Sequence, residues 1–310
     1  MGNYSGEFMF LLHGLNDTMT NKYIYFGFGL VFYFVTLLVN LLLIITVILD
    51  KTLHEPMYLY ICSLFVNGIC GSSAFYPNIL ADLLTDSHVI SYTACLTQTC
   101  VIYSYVLYEF TCLTVMAYDR YVAICKPLEY LSIMTHQKVI KLLTFICFFS
   151  ILQSLVGAAL TIRLPLCGND IDKLYCSNWE VVKLSCTDVT VNNLYGYFLI
   201  LFHASQAVLI IVSYIQIIKA SLQSQAGKVK FMQTCLPHII TLLNFSVSII
   251  FDVMYSRYGK TQGLQSVRSI LGMEYLLVPP LLNPIIYGMN LSQIRRQFLK
   301  MFRCKIKAVF

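Results

Sequence analysis

An all-α membrane protein, folded as one bundle of seven spanning helices, is the fold class this sequence predicts. Three observations carry that expectation. The chain is 58% hydrophobic and only 12% charged, whereas globular proteins run near about 25% charged. Its mean hydropathy is +0.71. Apolar runs of about 20 residues can each cross a bilayer, and seven can be placed, at residues 24–49, 57–81, 96–119, 139–162, 194–218, 234–256 and 269–289. They consume most of the 310 residues, so residues 1–310 read as a single domain with no repeat and no low-complexity tract. An outer segment 1–23 precedes the first span and a tail 290–310 follows the last.

An odd number of spans puts the two ends of the chain on opposite sides, and the basic residues choose the side. One set of loops, with the tail, holds fourteen of the 21 Lys and Arg: Lys51, Arg120, Lys126, Lys138, Lys141, Lys219, Lys228, Lys230, Arg295, Arg296, Lys300, Arg303, Lys305 and Lys307. The other side holds seven. Cytoplasmic loops carry the Lys/Arg excess, which places the amino terminus outside. The first 22 residues lack a basic start and an apolar core, so the first span is expected to act as its own signal anchor. Asn3-Tyr4-Ser5 and Asn16-Asp17-Thr18 then become outward glycosylation acceptors at Asn3 and Asn16.

The first span carries Asn40, an amide that in lipid seeks a partner on another helix. The second carries Asn67 beside Gly68. The third brings Glu109 and ends in Asp119-Arg120, charges that are expensive at the bilayer centre and belong at its boundary. Glu109 and Arg120 are eleven residues apart, which is within roughly 20° of three full turns, so both project from nearly one face. Pro127 breaks the helix into a loop. After the fourth span, residues 163–193 form a loop too long to be structureless without a role. Of twelve cysteines, Cys95, Cys167, Cys176 and Cys186 lie on the oxidising side, and three pairings are open to them. Cys62, Cys70, Cys100, Cys112, Cys147 and Cys235 read as apolar fillers. No pair has metal-ligand spacing on a polar loop, and no cofactor is implied. The seventh span ends in Pro279-Pro280-Leu281-Leu282-Asn283-Pro284-Ile285-Ile286-Tyr287, where Pro284 removes a backbone donor and allows a bend. Beyond it, apolar residues at 294, 298, 299, 301 and 302 alternate with basic ones, as in a short amphipathic helix lying on an anionic inner leaflet. Cys304 just past it is a palmitoylation candidate.

The run Met116-Ala117-Tyr118-Asp119-Arg120-Tyr121-Val122-Ala123-Ile124-Cys125-Lys126-Pro127-Leu128-Glu129-Tyr130 resembles the signature closing the third helix of olfactory receptors, within the rhodopsin-like G-protein-coupled receptors. Three more stretches resemble the same family: Leu53-His54-Glu55-Pro56-Met57-Tyr58, the Lys228–His238 run, and the Asn283-Pro284-x-x-Tyr287 motif. Glu55 resembles the fish-type, class I-like branch that favours water-soluble odorants. The resemblance implies that Arg120 is a switch arginine, held near Asp119 at rest and released toward a G protein. Tyr121, Tyr214, His238, Asn283, Pro284 and Tyr287 fall at the family's other switch positions. It selects Cys95–Cys176 and Cys167–Cys186 as disulfides. It places Gly68 where the wider superfamily has a sodium-binding aspartate, and Ser246, next to Phe245, where most olfactory receptors have an aromatic.

The function expected is therefore an odorant receptor in the plasma membrane, of olfactory cilia by family. It would bind a small odorant in the outer half of the bundle and raise cAMP through a stimulatory heterotrimeric G protein. Ile102, Tyr103, Val106 and Leu107 of the third span, His203 of the fifth, Ile249, Ile250 and Val253 of the sixth, and Met273 and Leu276 of the seventh are the expected lining. Arg257 resembles the position at which class I receptors carry an arginine for acid ligands; otherwise it is a boundary anchor. The alternative is a rhodopsin-like receptor for a non-odorant metabolite or carboxylate outside olfactory tissue. Ile102 stands where amine receptors place an aspartate, which argues against amines. Scattered histidines and the absence of a nucleophile motif exclude an enzyme reading, and missing repeats argue against a transporter. Nothing points to nucleic acid.

Overall fold

A computed structural model describes residues 8–13, 19–85, 88–222, 225–258, 265–290 and 293–297. Seven long helices dominate it: α1 (Met19–Leu49), α2 (Pro56–Thr85), α3 (Tyr92–Cys125), α5 (His136–Ile162), α7 (Thr190–Ser221), α8 (Gln225–Tyr258) and α9 (Gln265–Asn290). Two short helices, α4 (Tyr130–Ile133) and α6 (Asn178–Lys183), lie in the loops before α5 and α7. Even α9, with 26 residues, is about 39 Å long at 1.5 Å per residue, more than the ~30 Å hydrocarbon core. Six of the seven are apolar enough to cross a membrane by composition as well as length. The seventh, α9, packs on α1, α2 and α8 and closes the ring.

Each helix outruns the span predicted from hydropathy. Backbone hydrogen bonding continues into water until a local signal stops it, and apolarity does not report those signals. Two starts are set by capping: Ser91 accepts from the Ala94 amide and Thr135 from the Lys138 amide, both at 3.3 Å. The largest correction concerns α3. It continues past Asp119-Arg120 to Cys125, so the two charges stand inside its last turns rather than at its end.

The lipid-facing surface is identified by large exposed apolar side chains, among them Phe28, Phe34, Phe145, Phe148, Leu201 and Leu209. Inside, one cluster fills the inner half around Tyr60, Phe65, Leu113 and Met116. A second fills the outer half around Phe75, Tyr105, Tyr175, Phe245 and Leu276. Gly71 lets α2 and α3 approach there: a Cβ on it would meet Tyr105 Cγ at 2.7 Å.

The prolines of α9 explain two cross-bundle bonds. A proline lacks the N–H that would serve the carbonyl four residues earlier. Pro279 thus frees the Tyr275 carbonyl, which accepts from Tyr105 Oη at 3.0 Å. Pro284 frees the Pro280 carbonyl, which accepts from Asn40 Nδ2 at 2.9 Å. Asn40 reaches α9 in this way, and its other bond goes to Thr36 of its own helix. By contrast, Pro237 leaves α8 unbroken.

A small sheet absent from the all-helical expectation caps the outer end. Its strands are β1 (Met9–Leu12), β2 (Val89–Ser91) and β3 (Asp170–Ile171), in the order β2-β1-β3, with β1 antiparallel to β2 and parallel to β3. Strands of two to four residues are too short to show a period-two pattern in sequence. Phe10, Leu12 and Ile171 pack beneath it against the Cys95–Cys176 disulfide, and Cys167–Cys186 staples the following loop. At the inner end residues 293–297 are helical, with Ile294 fully buried and Gln293 accepting from Tyr58 Oη at 3.0 Å. The rest of the expected interfacial helix, with Cys304, lies outside the described residues, as do Asn3 and Asn16.

Candidate functional site

Three polar arrangements run through the bundle from inside to outside. At the inner end, Asp119 is fully buried and Arg120 is 9% exposed. Arg120 folds back on its neighbour, its Nε donating to Asp119 Oδ2 at 2.9 Å and a terminal nitrogen donating to the same oxygen. The second carboxylate oxygen accepts from Tyr130 Oη of α4 at 3.0 Å. Burial, and then Asp119 beside it, hold the Tyr130 phenol above its usual range, so it is a donor at neutral pH. Across the bundle, Tyr214 of α7 is hydrogen-bonded to His238 of α8, with their rings 5.6 Å apart. Tyr214 packs in one cluster with Ala117 and Cys235, against which Tyr121 also lies.

The middle of the bundle holds a polar core. Glu109 has no exposed surface, and it accepts from Asn67 Nδ2 of α2 at 2.8 Å and from Asn283 Nδ2 of α9 at 2.7 Å. Asn67 also donates to the Tyr105 carbonyl at 3.0 Å. One carboxyl group thus joins three helices. Gly68, at the superfamily's aspartate position, faces Pro280 instead.

The outer end is closed by the loop that follows β3. Gln98 of α3 holds it in place, accepting from the Cys176 amide at 2.9 Å while donating to the Ala74 carbonyl at 3.0 Å. The disulfide alongside fixes the same point. From there, Tyr175 and Lys173 reach into the bundle. Tyr175 donates to the Gly272 carbonyl at 3.2 Å and shares a 2.8 Å bond with Tyr275 Oη. Lys173 Nζ meets Asp252 Oδ1 of α8 at 2.6 Å. Beside this pair lies a small cleft, partly open to solvent. Asp172, Leu174, Phe251, Tyr255, Ser256 and Met273 are among its walls.

Residues 28–305 match the olfactory receptor family. The chain belongs to that family. Among its relatives, olfactory receptor 52D1 of Homo sapiens is 36% identical over 274 residues, covering 87% of this chain and 86% of the relative. Olfactory receptor 4E1 of Homo sapiens is 35% identical over 300 residues, covering 94% and 92%. Olfactory receptor 5M5 of Mus musculus is 33% identical over 308 residues, covering 97% and 95%. The fold is similar to that of squid rhodopsin, with a TM-score of 0.74 at 16% identity over 94% of this chain and 83% of that one.

As an olfactory receptor it is a multi-pass membrane receptor and not an enzyme, and the expected switch residues can be located in it. Asp119 and Arg120 are joined, Tyr214 and His238 are joined, and Asn283 bonds Glu109 of α3. Tyr287 is 2% exposed within the inner core, and Pro284 shapes the Asn40 contact. The expected lining is only partly brought together. Ile102, Val106, Ile249, Met273 and Leu276 share the outer cluster, and Met273 also borders the cleft. Leu107 is buried in α3. Tyr103 is half-buried on α3. His203 lies edge-on to Phe110, its Nδ1 paired with Gln206 at 3.0 Å. Val253 is half-buried on α8.

Ile250 departs from the expectation. It is 62% exposed, because one residue beyond Ile249 rotates it by about 100° to the lipid face. Arg257 is placed otherwise too. Its guanidinium lies over Trp179 at 4.2 Å and Tyr197 at 5.0 Å, and donates to Asn193 Oδ1 at 3.1 Å. It is not among the walls of the cleft. Sequence reading missed Lys173 and Asp252 altogether. The available signal was an aspartate inside the sixth apolar span, expensive there without a partner.

Proposed function

We propose that this olfactory receptor binds a small, water-soluble odorant in the outer half of the bundle and couples to a stimulatory G protein, raising cAMP. The observation that carries the reading is the buried Asp119–Arg120–Tyr130 clasp at the inner end. A guanidinium held by a carboxylate whose two oxygens are both occupied is a stored contact. Its release frees a cation at the cytoplasmic mouth. Tyr214, now bonded to His238, stands across the same inner cluster as the partner a freed Arg120 would meet. The Lys/Arg excess supports an inward placement of this end, with the amino terminus outside and the whole chain 1–310 acting as one receptor domain in the plasma membrane, in olfactory cilia. Asn3 and Asn16 are proposed as its glycosylation sites and Cys304 as its lipid anchor.

The test is Arg120→Ala in cells carrying a cAMP reporter and an odorant panel. Ligand-driven cAMP should vanish while surface expression stays near wild type. An unchanged response in that variant would remove the clasp from the mechanism.

A further inference from the structure

The outer cleft is walled by a charged pair that the expected apolar lining did not include. Lys173 and Asp252 side chains are 8% and 14% exposed and meet at 2.6 Å. Such burial is costly unless each charge keeps a partner of opposite sign. The pair has no covalent or helical tie between its members: Lys173 rides on the loop after β3, and Asp252 on α8. Lys173 is further held by Tyr175 Oη at 3.3 Å and by the face of that ring. A separate observation marks the same cleft as a place for a polar ligand. Ser256, 6% exposed and on the cleft wall, has a hydroxyl with no hydrogen-bond partner among the described residues.

Asp172, the third charge on the wall, is exposed, so the balance of the buried pair selects the ligand class. An anion drawn to Lys173 would leave Asp252 bare, and a cation drawn to Asp252 would leave Lys173 bare. A molecule carrying both charges leaves neither unpaired. We propose that the cleft binds a small zwitterion of amino-acid type, its carboxylate on Lys173 and its ammonium on Asp252. Ser256 supplies a hydrogen bond, and Leu174, Phe251 and Met273 receive the carbon stem. Exchange of the internal pair for the ligand also removes one tie between the loop and α8, whose inner half carries His238; the Arg257–Trp179 contact is another. This inference rests on the receptor reading above for its route to a signal, but its binding step stands apart from coupling.

The test therefore reads binding first. The purified full-length receptor in lipid nanodiscs is titrated with glycine, β-alanine, γ-aminobutyrate, L-leucine and L-phenylalanine, and with the N-acetyl and methyl ester derivative of each, following the shift in melting temperature. At least one zwitterion should stabilise the receptor, and its two singly charged derivatives should bind about tenfold or more weakly, the scale of one charge-assisted hydrogen bond. The double variant Lys173→Gln/Asp252→Asn, which removes both charges and keeps the shapes, should lose that preference. No stabilisation by any zwitterion, or equal binding of the ester and N-acetyl forms, would overturn the proposal. Zwitterion binding without a cAMP rise would uphold it and count against stimulatory coupling. A cAMP rise to neutral odorants with no zwitterion binding would do the reverse.

Discussion

Replacing Glu109 by leucine should loosen the bundle at the junction of α2, α3 and α9. Leucine is close in size but cannot accept a hydrogen bond. The change would strip Asn283 Nδ2 of its 2.7 Å acceptor and Asn67 Nδ2 of one of its two. Side-chain bonds between membrane helices average about 0.6 kcal/mol and reach about 1.7, while a buried donor left unpaired costs ~1–3 kcal/mol. Asn67 keeps the Tyr105 carbonyl, so only Asn283 loses its partner fully, and the loss should be on the order of 2 kcal/mol. Glu109→Gln retains one acceptor oxygen and should cost about half as much. The decisive comparison is the double variant Glu109→Leu/Asn283→Leu. With donor and acceptor both gone, stability should return most of the way toward wild type, because removing both partners is far cheaper than orphaning one. Thermal inactivation midpoints of the solubilised full chain would give the cycle, and direct partners should couple by at least about 0.5 kcal/mol. Additive single effects, or a Glu109→Leu receptor as stable as wild type, would refute the reasoning.

Other perturbations follow from the same structure. Cys176→Ser should leave the receptor inside the cell, since losing a native disulfide costs about 2–5 kcal/mol and this one anchors the loop that closes the outer end; flow cytometry against a surface tag reads it, and normal delivery would show the bridge to be dispensable. Gly71→Ala should cost ~1–3 kcal/mol by overpacking, because the new methyl meets Tyr105 near its ring root at 2.7 Å, not at a movable tip; an unchanged melting temperature would contradict the packing. Arg257→Gln removes cation–π contacts worth about 0.5–1 kcal/mol each at partly exposed sites, so it should lower stability slightly and leave any preference of an acid agonist over its ester intact. Loss of that preference would return Arg257 to the role of carboxylate anchor.

Much of this receptor was legible in the sequence because lipid makes local composition decisive. A helix must satisfy its own backbone in the bilayer, so seven apolar runs sufficed to place seven helices, and the basic residues favoured one side as cytoplasmic. Asn40, Asn67 and Glu109 stood out as polar groups needing partners inside the bundle. Which partners they take was decided by the tertiary structure, since a bond between α3 and α9 spans 174 residues of sequence and no local pattern encodes it. The helix ends escaped hydropathy because backbone hydrogen bonding runs on past the apolar stretch, with local caps such as Ser91 and Thr135 setting two of the starts. The outer sheet escaped it because its strands are too short to show a period. Ile249 and Ile250 are identical in composition, and only the rotation of α8 against its neighbours sends one inward and the other to lipid. Arg257 was recognisable as a cation at the outer boundary, but its direction depends on Trp179 in a distant loop. The Lys173–Asp252 pair was hidden for the same reason: Asp252 in an apolar span calls for a partner, but only the fold of the stapled loop over α8 names it, bringing Lys173 within 2.6 Å.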